Sequence, residues 1–147
     1  MLIFEMIVGF ITAIIIYNVI HHFFITRPID IGNKETINVL DDFIYHLNDN
    51  LDNTLNIVER NNNSVVWGRN IYDYEYILKY THNHFNEEHL RININSLIKT
   101  FNNSKKFNHD VIVTDFFIRD GLIHIDLAYL LNSATYEYVL DMKKLDK

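Results

Sequence analysis

Acidic side chains and one histidine recur near the C-terminal end at spacings that place them on a single face of a sheet. Residues 109–119, the dipeptide Asp120-Gly121 and residues 122–131 read as a β-hairpin, because Asp-Gly supplies the positive φ angles of a type I′ turn. Counting outward from that turn sets Asp115 opposite Asp126. A second tight turn at Asn132-Ser133 leads into a third strand, residues 134–141, which sets Asp141 opposite His124 with Glu137 one pair further along. Opposed carboxylates about 5 Å apart repel, so such a face calls for solvent, a cation or a retained proton. Asp115, His124, Asp126 and Asp141 are therefore the candidates for a cation or acid-base site. The plainer reading of the same residues is a solvated face whose charges discourage aggregation.

A second group is His82-x-His84 with Glu87, Glu88 and His89. Residues two apart point to different sides of a helix, so His82 and His84 share a metal only if they lie on a strand. No HExxH pair, glycine-rich phosphate loop or GxSxG elbow is present, and there is no cysteine for a thiolate zinc site or a disulfide. No cofactor is expected. The net charge of -6 argues against nucleic acid as a partner, because phosphate binding relies on clustered Lys and Arg, which are sparse here and gather chiefly at the very end, at Lys143, Lys144 and Lys147.

The elements that must carry these residues are read from hydrophobic period. Ile37, Leu40, Ile44, Leu47, Leu51, Leu55 and Val58 predict one amphipathic helix over residues 34–60, heptad-like as far as Leu51. Its seam serves either its own domain or contact with a second copy. The tyrosine-rich segment 71–85 fits a helix through Ile71, Tyr74, Ile77 and Leu78, and fits a strand through the alternation of Tyr72, Tyr74 and Tyr76; the helix is preferred. Asn86 caps a further helix with Glu87 and Glu88 in its first turn and Leu90, Ile94, Leu97, Ile98 and Phe101 along one stripe. In the C-terminal meander, Ile112, Phe116, Ile118, Ile123, Ile125, Leu127, Tyr129, Leu131, Tyr136, Tyr138 and Leu140 share an apolar face that helices must cover. The expectation is an α+β domain of two layers, about three helices on a three-stranded antiparallel meander.

The N-terminal residues are of another kind. Residues 2–25 carry one charge, Glu5, and as a helix would extend about 36 Å, enough to cross a bilayer core of about 30 Å. They lack the basic start and small-residue cleavage site of a secretory signal. A transmembrane anchor is expected over residues 1–26, then a connector over 27–33 opened by Pro28, then a soluble domain over 34–147. Arg27 and Lys34 follow the apolar run and no Lys or Arg precedes it, which favours the cytoplasmic or equivalent inner side for that domain. Glycosylation sequons at Asn62 and Asn102 are ordinary in a chain so rich in asparagine. The wealth of Ile and Asn and the scarcity of Ala fit an AT-rich coding sequence, as in viral or organellar genomes.

The start Met1-Leu2-Ile3-Phe4-Glu5-Met6-Ile7-Val8 resembles the mature N-terminus of type IV pilins and pseudopilins, where a glutamate at the fifth position interrupts a long apolar helix. The resemblance covers about 25 residues. It implies a processed terminus at Met1 and pairing of Glu5 with the N-terminal amine of a neighbouring subunit. Taken from the residues themselves, the anchor, the seam and the abundant Tyr and Phe predict a non-enzymatic structural or assembly subunit whose partners are the lipid bilayer and other protein chains. The alternative is a small tethered cation-binding or hydrolytic domain that uses the acidic face.

Overall fold

The computed structural model describes residues 1–52, 54–68, 70–81 and 86–145. The chain divides into two compact units, Met1–Lys34 and Glu35–Lys147.

The first unit is helical throughout. Helix α1, Leu2–His21, is apolar on all sides and has no buried residue. Two of its polar side chains turn back on the helix: Thr12 Oγ1 donates to the Val8 carbonyl at 2.8 Å and Asn18 Nδ2 to the Ile14 carbonyl at 2.9 Å. One π turn, His22–Thr26, joins α1 to α2, Arg27–Asn50. The expected connector at 27–33 is thus helix. Pro28 cannot donate to the carbonyl four residues back, and the wider turn just ahead, closed by Arg27 N–H to the His22 carbonyl, absorbs the defect without ending the helix. Among the described residues, one helix near the N-terminus is, by length and composition, long and apolar enough to cross a membrane.

The second unit is built on a four-stranded antiparallel sheet in the order β1-β2-β4-β3. The strands are β1, Leu55–Asn62; β2, Asp73–Tyr80; β3, Val111–Arg119; and β4, Leu122–Tyr129. One face is the core. Tyr74, Tyr76 and Leu78 of β2 join Ile123, Ile125 and Leu127 of β4 there, under Val39, Leu40, Phe43, Ile44 and Leu47 of α2. Leu90, Ile94 and Phe101 of α4, Glu87–Asn103, complete the cover. The Asn86 cap is as expected, its side chain accepting from His89 N–H at 3.2 Å.

Three expected elements take another form. The amphipathic helix ends at Asn50 rather than near residue 60, so Leu55 and Val58 lie on β1. Asp52 adopts φ 53°, and the Asn48 side chain accepts from Leu55 N–H at 2.8 Å, turning the chain back along its own helix. The seam through Leu40, Ile44 and Leu47 is consumed by its own domain. Residues 73–80 of the tyrosine-rich segment are β2, the strand alternative, because they pair with β1 on one side and β4 on the other, while residues 82–85 lie outside the described residues. The expected third strand of the meander, 134–141, is helix α5, Ser133–Leu145. Asn132 caps it, accepting from both Thr135 N–H and Thr135 Oγ1 at 2.8 Å.

The β3–β4 hairpin holds the predicted turn, with φ 53° at Asp120 and 75° at Gly121. A bulge at Thr114 shifts the register beyond it, so Val111 enters the core in place of Ile112. The sheet has four strands rather than three. Its second face is covered in part by α5 and by the short turn α3, Ser64–Trp67, which meet through the Trp67 and Tyr138 rings at 5.7 Å.

Candidate functional site

The second face carries the acidic residues. Period two along β2 and β4 sends Tyr74, Tyr76, Ile123, Ile125 and Leu127 to the core, and therefore sends Asp73, Glu75, His124 and Asp126 to the opposite side. Asp115 lies across from Asp126 on β3, as counted from the Asp-Gly turn. Glu75 lies across from Asp126 on the other flank. Asp126 is thus the middle of a row of three carboxylates, with a fourth, Asp73, two residues from Glu75.

Each carboxylate meets a different environment. Asp73 is fully buried and accepts from Asn63 Nδ2 and, at 2.7 Å, from Thr114 Oγ1. Burial pushes its pKa up, the two hydrogen bonds oppose that, and the charge of Asp115 adds to it. Glu75 holds His124 Nδ1 at 2.7 Å and accepts from Asn61 Nδ2 at 3.0 Å. Burial raises Glu75, but the His124 and Asn61 hydrogen bonds and the His124 charge outweigh it, and its pKa falls below the ordinary value. His124 is fixed from behind by the Phe117 ring, stacked at 4.6 Å with 8° between planes.

Asp126 is the group left over. Its Oδ2 shares the Asn63 amide at 3.2 Å, while its Oδ1 is buried with no hydrogen-bonding partner among the described residues. Burial first, then the charges of Asp73, Glu75 and Asp115, lift its pKa to about 7. Tyr138 of α5 closes over the same groups. Its phenol is raised by burial and by the charges of Asp73 and Asp126.

Of the four predicted site residues, the structure brings together Asp115, Asp126 and His124. Asp141 is not opposite His124; it lies on α5, exposed, paired with Lys144 Nζ at 2.8 Å. The partner of His124 is Ile77 on one side and Phe117 on the other. Glu137 is likewise on α5, beside a 330 Å³ hollow under Trp67 and Met142. His82 and His84 lie outside the described residues, and His89 is exposed on α4 next to Asn93. The contributors that the sequence reading missed are Asp73, Glu75, Asn63, Thr114 and Tyr138. The alternation at Tyr72, Tyr74 and Tyr76 was the signal for the first two.

The arrangement can hold a proton. Glu75 is engaged by His124, both Asp73 oxygens are engaged, and among the described residues no group of three or more His, Asp or Glu has the geometry to hold a metal ion. A separate groove of about 640 Å³ opens between α2 and the edge strand β1. At its base Arg60 Nη1 grips both Asp41 oxygens at 2.8 Å, and Tyr76 Oη donates to Asp41 Oδ1 at 2.6 Å. Exposed Tyr45, Ile57 and Val58 line its mouth. Comparison with family models, with curated proteins and with solved structures finds no match for this chain.

Proposed function

We propose that this chain is a membrane-anchored, non-enzymatic subunit of a larger assembly, held in the bilayer by α1 and joined to partner proteins through its α+β domain. The observation that carries the reading is α1 itself, which is apolar on every side with no residue buried. A helix apolar all round needs either a protein interior or lipid around it, and its Thr12 and Asn18 side chains already satisfy themselves on helix carbonyls, as hydrocarbon requires. Arg27 and Lys34 support an inner-side placement of the domain. The groove at the β1 edge supports protein contact. It joins exposed Tyr45, Ile57 and Val58 to the edge strand of the sheet, the chemistry by which a partner strand or helix docks. A fibre-forming subunit with Glu5 at its neighbour's N-terminus is the special case of the same class.

The test is native mass after extraction in mild detergent, with every co-purifying chain identified. A defined complex of several different chains is the expected result. A monomer with bound detergent contradicts the assembly reading, and a long homopolymer moves it to the fibre-forming case.

A further inference from the structure

The α3 turn presents Val65, Val66 and Trp67 in succession, 86%, 76% and 53% exposed. Single exposed apolar residues are ordinary on a protein surface, but three in a row at a hairpin tip form a contiguous apolar patch. No charge occurs from Ser64 to Gly68. The tip is also held firmly. Ser64 is buried, its N–H donates to Asn62 Oδ1 at 2.9 Å, and Gly68 N–H donates to the Ser64 carbonyl at 2.9 Å. Asn63, just ahead, is fastened to Asp73 and Asp126, and the Trp67 ring leans on Tyr138.

Its place within the second unit follows from the strands. Strand β1 runs antiparallel to α2: Leu55 meets Asn48 and Arg60 meets Asp41, so β1 travels back toward Glu35. At that end of the sheet Asn63 N–H bonds the Asp73 carbonyl, Tyr129 N–H bonds the Tyr72 carbonyl, and Tyr129 Oη donates to Glu35 Oε1 at 3.3 Å. The tip therefore stands at the end of the domain where the chain arrives from the apolar segment. Glu35 follows Ile25, the end of that segment, by only ten residue steps. They reach about 15 Å as helix and at most about 36 Å extended, which keeps the tip at high effective concentration near a bilayer.

We propose that Val65, Val66 and Trp67 form a second membrane contact, seated in the interfacial layer of the bilayer that α1 crosses. The inference rests on the anchored reading above. Tryptophan suits that layer because its ring is apolar while its indole N–H stays in reach of headgroups, and the two valines supply the apolar face beneath it. With the tip seated, one end of the domain is fixed against the membrane and the β1 groove is held at a set height for its partner.

Trp67 is the only tryptophan, so its fluorescence reports the tip without labelling. The full chain is reconstituted into phosphatidylcholine–phosphatidylglycerol vesicles, and into matching vesicles with brominated acyl chains. The expected result is flotation with the vesicles, at least twofold quenching of Trp67 by the brominated lipid, and weak quenching by aqueous iodide. The Val65→Ser/Val66→Ser variant, altered only at exposed positions, is expected to float equally, lose most of the bromine quenching and become open to iodide. Failure to float removes the anchored reading and this inference together. Flotation with Trp67 open to iodide in the unaltered chain overturns only the second contact. So does shielding from both quenchers, which would point to a protein on the tip, and so does bromine quenching that persists in the variant.

Discussion

The surroundings of Asp126, rather than any one partner, favour its protonated form. Its folded pKa of about 7 lies above the unfolded carboxylate value of about 3.9. Folding therefore takes up a proton, and the contribution to stability is full below the unfolded value and is lost as pH rises through about 7. Stability should fall from pH 5 to pH 8, on the order of 2 kcal/mol after allowance for partial solvent screening. Asp126→Asn should flatten that fall and raise stability at pH 8 by a similar amount, read as the urea midpoint of the full chain in detergent. An unchanged slope would show that the carboxylate row is solvated after all. Glu75 has the opposite sign. Its lowered pKa stabilises above the unfolded carboxylate value and is lost only as pH falls below it, so the two limbs separate. The Asp115–Asp126 pair was legible because the Asp-Gly turn sets the count. Asp73 was not, because its segment read as helix and its burial depends on Asn63 and Thr114, distant in sequence.

Among the elements, the ones stated correctly from sequence had a local signal that agreed with their surroundings: the Asn86-capped helix and the Asp120-Gly121 hairpin. The errors came where two periods fitted. The spacing of Leu51, Leu55 and Val58 continues a helical stripe, yet Asn48, Asp49, Asn50, Asp52 and Asn53 crowd the same stretch, and such residues favour turns. Tyr74 and Tyr76 join a strand only because neighbours on both sides supply backbone partners, a tertiary effect. At 134–141 the Asn132 cap, read as a strand turn, started a helix instead. The reversal at residue 50 is open to a direct check. Asn48→Ala removes the acceptor for Leu55 N–H and should cost about 1–2 kcal/mol. Asn50→Ala removes only an exposed bond to the His46 carbonyl and should stay within about 0.5 kcal/mol by denaturant melt. Equal losses would mean the Asn48 side chain does not direct the turn.

For the whole molecule, the class was legible and the count was not: an apolar N-terminal helix followed by an α+β domain, with four strands where three were expected. Composition shows that boundary plainly, since Glu5 and Arg27 are the only Asp, Glu, Lys or Arg before Ile29. What the sequence could not supply was the second covered sheet face, because it depends on α5 folding over Asp73 and Asp126. The central claim is that α1 crosses a bilayer. It is tested most directly by alkaline carbonate extraction of membranes carrying the full chain, beside a chain with Ile11→Lys and Ile15→Lys. Each lysine at mid-span costs about 2.5–3.5 kcal/mol of insertion. The unaltered chain is expected to stay in the membrane pellet and the double variant to be released to the supernatant. Release of the unaltered chain, or retention of both, would contradict that claim.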